Sequence, residues 1–156
     1  MIHPRTSLSD MVSTAYCGST NNSGAPSVIT AAGGLDNLAV TGVGIDRAAY
    51  NMPESAAINL GWLAALTAAQ TLALAVSIQE SSDNSAWDTA EVLQASTVVA
   101  TGAGNKSGVT KLAVSLKNRK RYFRINFTPD LSAGATDTAL VSAVAVMGGA
   151  GILPAV

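Results

Sequence analysis

Hydrophobic and polar residues alternate along much of the chain, and this alternation predicts a β protein. The pattern is clearest over residues 71–80, where one face carries Leu72, Leu74, Val76 and Ile78. A period of two is what a strand needs when one side is buried and the other meets solvent. The same period predicts strands at residues 55–64, 111–117 and 122–128.

Other segments carry a weaker or a double signal. Residues 38–45 are a weaker strand candidate because two glycines interrupt them, and residues 92–101 fit one or two short strands. Residues 63–74 are rich in alanine and leucine, the best helix formers, so a short helix stays open there. Residues 138–147 are apolar on both faces, which indicates a central strand or a strand that a partner covers.

Clusters of turn residues separate these segments and set the fold class. They lie at residues 81–85, 102–108, 117–120 and 129–134. Short strands divided by such turns predict an all-β fold, a β-sandwich or jelly-roll-like single domain.

The start of the chain differs from the rest, because small polar residues dominate residues 1–34 and no period is visible. Such a segment is a loop unless a partner orders it. We therefore expect an N-terminal arm over residues 1–34, extended or ordered by partners. The sandwich domain is expected over residues 35–156, with a short C-terminal tail.

The chain carries few charges. Charged residues make up 12% of its 156 residues, about half the share that is usual in soluble proteins. A free monomer of this kind has little charge to keep copies apart, so we expect the chain to act while packed against a partner. No segment has the unbroken apolar length that a membrane-spanning helix needs, and we expect no membrane partner.

Few residues offer chemistry. His3 is the only histidine and lies in the expected arm, a poor place to hold a catalytic group rigidly. Cys17 is the only cysteine, which excludes a disulfide framework within the chain and a cysteine-based zinc cluster. The sequence therefore predicts no enzyme, no catalytic residue, no cofactor and no small-molecule ligand.

Two loops suggest ion or phosphate binding, but neither has the required spacing. Four acidic residues flank one loop: Glu80, Asp83, Asp88 and Glu91. Their spacing matches no calcium-binding loop, so we expect no metal. The glycine-rich residues 102–108 lack the spacing of a phosphate-binding loop and are expected to form a flexible hairpin loop.

The basic residues are concentrated in one stretch, since seven of the nine lie in residues 106–124. A hairpin turn there is expected to present partner-contact residues: Lys117, Arg119, Lys120, Arg121 and Arg124. We expect the partner to be a protein and expect no direct nucleic-acid binding, because no aromatic platform for base stacking is interleaved.

The two tryptophans have different expected roles. Trp62 lies on the inward face of its strand and is expected in the core. Trp87 follows the polar loop, where it could cap the sandwich or stack on a sugar, and we prefer the cap. Trp87 also joins the expected partner-contact residues.

Two stretches resemble virion proteins of tailed bacteriophages. Residues 72–87, LALAVSIQESSDNSAW, contain a strand that runs into a Gln-x-Ser-x-Asp-x-Ser-x-Trp loop. Residues 120–129, KRYFRINFTP, and the Ala/Val-rich residues 136–149 are also similar to that group. The resemblance covers residues 55–150. Head decoration (cement) proteins of such phages are similar to this chain in size and in β-sandwich character.

This resemblance implies a function. A decoration protein binds the outer surface of a phage capsid and stabilises it by bridging major capsid subunits. It implies the major capsid protein and further copies of the chain, as a trimer or dimer, as partners. It also implies a location on the virion after synthesis in the host cytoplasm. The alternative is a receptor- or glycan-binding virion module of a head or tail fibre, which Trp87 and its loop suggest.

Overall fold

The computed structural model describes residues 11–22, 25–31, 33, 35–132 and 136–149. Within these ranges the secondary structure is almost entirely strand. The strands are β1 Val12–Ser19, β2 Asn21–Asn22, β3 Ala25–Pro26, β4 Ile29–Thr30, β5 Ile45–Asp46, β6 Ser55–Leu66, β7 Thr71–Ser81, β8 Glu91–Thr101, β9 Gly104–Ser115, β10 Tyr122–Leu131 and β11 Thr138–Gly148. One 3-10 turn, Arg47–Tyr50, follows β5.

The strands form two antiparallel sheets that pack face to face. The first sheet has the order β1-β11-β6-β9, with β4 also paired to β11, and the second has the order β5-β10-β7-β8. Most connections between consecutive long strands cross from one sheet to the other. Apart from the short β4, the two sheets contain four strands each, and eight strands in two packed sheets with such crossings are the arrangement of a jelly roll. The prediction of an all-β sandwich is confirmed.

The core lies between the sheets and contains the residues that the alternation pointed inward. Phe123, Ile125 and Phe127 of β10 are fully buried. The predicted inward set of β7 is buried as well: Leu72, Leu74, Val76 and Ile78. Trp62, expected in the core, is only partly buried and packs against the edge of the core cluster.

One irregular segment ties the two sheets together at their side. Val40 exchanges two backbone hydrogen bonds with Phe127 of the second sheet, and the Val43 N–H donates to the Cys17 carbonyl of the first sheet at 2.9 Å. Between them Gly42 passes so close to the backbone that an added Cβ would lie 2.6 Å from the Cys17 carbonyl oxygen. The weak strand signal at residues 38–45 corresponds to this clamp and to β5.

The expectation of an arm over residues 1–34 is wrong for β1. Val12–Ser19 pairs with β11 as a regular member of the first sheet, with one irregularity between Tyr16 and Gly18. The inward residues Ser13, Ala15 and Cys17 are buried although they are small and weakly hydrophobic, so the strand shows no apolar period. Residues 1–10 and the tail at 150–156 lie outside the described residues.

Two expected loops are strand. The flexible loop expected at residues 102–108 is replaced by β9, whose residues from Gly104 onward pair with β6. These residues form a strand because their backbone pairs with β6, not because their side chains are hydrophobic. Their glycine-rich composition therefore led to the wrong prediction of a loop. Strand β10 likewise runs through Pro129, whose carbonyl accepts from the Asn37 N–H at 3.0 Å on the side away from β7. A proline is tolerated there because it needs to donate no hydrogen bond to the neighbouring strand.

The remaining open alternatives resolve in favour of strands. Residues 63–74 contain the end of β6, a turn and the start of β7, so the short helix does not form. Residues 92–101 belong to one strand, β8, whose register with β7 shifts three times. Strand β11 is central, between β1 and β6.

Candidate functional site

The basic turn is held by acidic residues from the neighbouring strand and loop. Arg119 forms ion pairs with Glu80 at 2.6 Å and with Glu91 at 2.9 Å. Its hydrogen bond with Glu91 raises the pKa of Arg119 and lowers the pKa of Glu91. The Lys120 backbone N–H donates to the second oxygen of Glu80 at 2.7 Å. Arg119 therefore joins the turn to β7 and β8.

Two further basic residues of the turn also have acidic partners. Lys120 pairs with Asp88 at 2.7 Å, and Arg121 pairs with Asp46 at 2.7 Å. The hydrogen bond from Arg121 lowers the pKa of Asp46. We call the residues of these ion pairs the charged end: Asp46, Glu80, Asp88, Glu91, Arg119, Lys120 and Arg121.

A buried arginine supports the charged end from below. Arg47 is 3% exposed, and its guanidinium donates to the backbone carbonyls of Arg119, Lys120 and Pro53. Burial lowers the pKa of Arg47. The three carbonyls fix the path of the turn, so Arg47 positions the basic side chains above it. Sequence reasoning missed Arg47, because a lone arginine in a polar segment looks like a surface residue.

The four acidic residues around residues 80–91 all have partners within the protein. Glu80, Asp88 and Glu91 serve the ion pairs above. Asp83 closes its own loop, since Oδ1 accepts from the backbone N–H groups of Ser85 and Ala86 at 2.9 Å each. These bonds lower the pKa of Asp83, with the one from Ser85 first.

Trp87 lies against the sandwich beside this loop. The guanidinium of Arg124 stands over its ring at 4.3 Å from the centroid. On another side of the ring is Gly44, where an added Cβ would lie 3.1 Å from Cζ2. The ring is half-buried, and one of its faces is already covered, which fits a cap better than an open sugar platform.

The structure thus brings most of the expected contact residues together at one end of the sandwich. In this set the exposed Lys117 makes no ion pair with a described residue. Lys120 and Arg121 remain about half exposed despite their pairs, at 46% and 53% of the side chain. Partner contact by these residues stays a prediction.

A second surface lies on the outer side of the first sheet. The alternating burial of its strands turns one residue in two outward. We call this set the smooth face: Thr14 and Tyr16 of β1; Leu140, Ser142, Val144 and Val146 of β11; Ala57, Asn59, Gly61, Leu63 and Ala65 of β6; Ser107, Val109, Lys111 and Ala113 of β9. Within the set only Lys111 is charged, whereas a surface of this size ordinarily carries several charges.

The smooth face is exposed to solvent, and several of its larger side chains project from it. Val109 is 68% exposed, Leu63 56% and Tyr16 55%. A shallow groove lies beside Leu63 and Val109, with Gly61 and Ser142 among its lining residues. The sequence held a signal for this surface, because residues 138–147 are apolar on the outward side as well as the inward side. The outward positions of the other three strands carry alanine, serine and glycine among their residues, so their sequences give no sign of an uncharged surface.

The described residues offer little reactive chemistry. They contain no group of three or more histidine, cysteine or acidic side chains placed to hold a metal ion. Cys17 is buried, and burial raises the pKa of its thiol to about 12. A thiol in this state is a small apolar core residue and not a nucleophile. No described helix has the length and apolarity to cross a membrane.

Solved viral particles contain chains with this fold, although no protein-family model and no curated protein matches the sequence. A chain of the T13 particle of infectious bursal disease virus matches with a TM-score of 0.52 at 13% identity, over 92% of this chain and 32% of that chain. The Gx strain of that virus gives a TM-score of 0.50 at 14% identity, over 92% and 33%. This chain spans about a third of the length of those chains. At such identities the likeness concerns the fold alone.

Proposed function

We propose that the protein is a structural component of a phage virion that binds the outer surface of the capsid. There it stabilises the shell by bridging major capsid subunits. The protein acts through its packing contacts and catalyses no reaction.

The observation that carries this proposal is the smooth face. A large open sheet face with one charge is costly for a free monomer, because exposed apolar patches favour association. Such a face is expected in a chain that functions as part of an assembly, where a partner covers it. The jelly roll, which viral-particle chains share, supports a virion as that assembly.

The contact with the capsid is assigned to the charged end. Lys120 and Arg121 project from it, and the exposed Lys117 lies in the same turn. Arg47 holds that turn through the carbonyls of Arg119 and Lys120. Exposed charges at the rim of a contact mainly steer association and set its orientation. Many copies on one shell then add modest individual affinities through avidity.

Binding to purified capsid shells that lack the protein tests the proposal. We expect saturation at a fixed number of copies per shell and increased resistance of the shells to heat. Lys117→Glu combined with Lys120→Glu should weaken binding. Thr101→Glu is the control, since Thr101 is exposed in the second sheet, at the end of β8 opposite the basic turn. Shells that bind no protein would contradict the proposal.

A further inference from the structure

We propose that the smooth face binds the smooth face of a second copy of this chain, so that the unit placed on the capsid is a two-fold dimer. The inference rests on the proposed function and deepens it. It names the partner of the smooth face and explains how one unit can contact two neighbouring capsid subunits. It rests on the area of the face, its charge and its register.

The area of the face suits the central part of a dimer contact. Strands lie about 4.8 Å apart and rise about 3.4 Å per residue, and each outward residue takes up two positions along its strand. The outward residues of the smooth face therefore span roughly 490 Å². Side-chain relief makes the accessible area larger than this plane. A standard interface buries about 800 Å² on each partner, so the smooth face supplies the larger part of one such contact.

The charge of the face favours a copy of itself. In a two-fold contact every group meets the same surface, so like charges face each other unless the face is neutral or the register separates them. Neutrality is nearly complete here, because Lys111 is the one charged member and Lys106 borders the face beside Leu63 and Leu140.

The register of the sheet shows how the remaining charge is accommodated. One row across the first sheet joins Tyr16, Val144, Asn59 and Lys111, because these residues are directly paired in sequence from β1 to β9. A two-fold axis parallel to the strands places β9 of one copy opposite β1 of the other. Lys111 then meets the exposed Tyr16 ring, a favourable contact for a cation.

The same axis explains bridging. Rotation about an axis parallel to the strands keeps their direction, so both charged ends point the same way. The dimer would then set two capsid-binding ends side by side on neighbouring subunits. Sheets that pack face to face keep their strands within about 30° of each other, which this arrangement respects.

Sedimentation equilibrium of the purified protein tests the inference with paired variants. Val109→Lys adds a charge on the smooth face, and we expect the dimer dissociation constant to rise about tenfold or more. Val92→Lys is the matched control, because Val92 and Val109 are both strand valines that are 68% exposed, but Val92 lies in the second sheet. Circular dichroism and thermal unfolding show that each variant is folded.

A charge-swap pair tests the register. Tyr16→Lys should weaken the dimer at least as much, because two lysines would then face each other. Adding Lys111→Glu to Tyr16→Lys should restore dimer formation. A monomeric wild type, equal loss in Val92→Lys and Val109→Lys, or no restoration by the swap would overturn the inference.

Shell binding separates this inference from the proposed function. A monomeric wild type that saturates capsid shells would overturn the dimer and leave the virion role standing. A wild-type dimer that binds no shells would overturn the virion role and leave the dimer. Val109→Lys should bind shells more weakly than wild type, since the avidity of two ends is lost.

Discussion

Arg119 and Glu80 form an ion pair with an N–O distance of 2.6 Å that joins the β9–β10 turn to β7. The basic residues are grouped in one stretch of the sequence, and the acidic residues that pair with them lie earlier in the chain. In the fold these acidic and basic residues meet, and their charges offset each other at the charged end. What remains for a partner is a rim of half-exposed lysine and arginine and a second surface with almost no charge.

The ion pairs make stability depend on pH in acid. The pKa of Glu91 and that of Asp46 are lowered in the fold from their usual values of 4.5 and 3.8. The unfolded chain therefore binds more protons in this range, and stability is lost as the pH falls through the folded values. Urea unfolding should give a constant midpoint from neutral pH down to about 5 and a falling midpoint below that.

A double variant isolates the source of this effect. Glu91→Gln with Asp46→Asn should lower the midpoint at neutral pH and reduce its fall in acid, because the lost ion pairs no longer titrate. A double variant with the full wild-type pH dependence would show that other carboxyl groups cause the acid sensitivity.

Gly42 is required by the clamp between the sheets. Gly42→Ala would force a Cβ against the carbonyl oxygens of Ile125 and Cys17, both backbone atoms that cannot move without opening a sheet. We expect a loss of roughly 2–3 kcal/mol in the free energy of unfolding, as for overpacked core sites. Gly61→Ala is the control, since its Cβ would meet nothing nearer than the Ser142 Oγ at 3.7 Å. Equal stability of the two variants in chemical denaturation would contradict this account of the clamp.

Arg47 should matter for both stability and capsid contact. Arg47→Leu removes the donors to three backbone carbonyls. It should cost roughly 4–5 kcal/mol, the low end of three hydrogen bonds to a charged group at about 1.5–3 kcal/mol each. Arg47→Lys keeps the charge but cannot reach all three carbonyls, so it should keep part of the stability. It should also weaken shell binding through the loosened turn. Full shell binding by a folded Arg47→Lys protein would remove Arg47 from the positioning role.

Cys17 should be inert in the native protein. Its thiol is 0% exposed and has a pKa of about 12, whereas thiol reagents attack the accessible thiolate. Labelling with iodoacetamide at neutral pH should be negligible until denaturant unfolds the chain. Rapid labelling of the folded protein would show that β1 opens and that the first sheet is less stable than its pairing implies.

Strands with a strong alternating pattern could be predicted from the sequence. In β7 and β10 the inward residues are large and apolar, so the period of two is visible without tertiary information. Strand β1 could not be found in this way, because its inward residues are serine, alanine and cysteine. Its place depends on backbone pairing with β11, which lies more than a hundred residues away in sequence.

The surfaces show the same division. The basic residues that are grouped in sequence also lie together in the fold, since neighbours in sequence share a turn, and their contact with a partner stays a prediction. Their pairing with Glu80, Glu91 and Asp46 depends on contacts distant in sequence and was not foreseen. The smooth face is assembled from four strands, each of which contributes a few mostly small, uncharged residues. Its lack of charge can be recognised only when the strands lie side by side.

A cryo-EM map of the virion that contains this protein tests the central claim most directly. The account predicts β-sandwich density on the outer capsid surface, with Lys117 to Arg121 towards the shell and contacts to at least two major capsid subunits. Pairs of copies should meet through the first sheet. Density at a tail or fibre, inside the shell, or on the capsid without contact to neighbouring subunits would contradict the account.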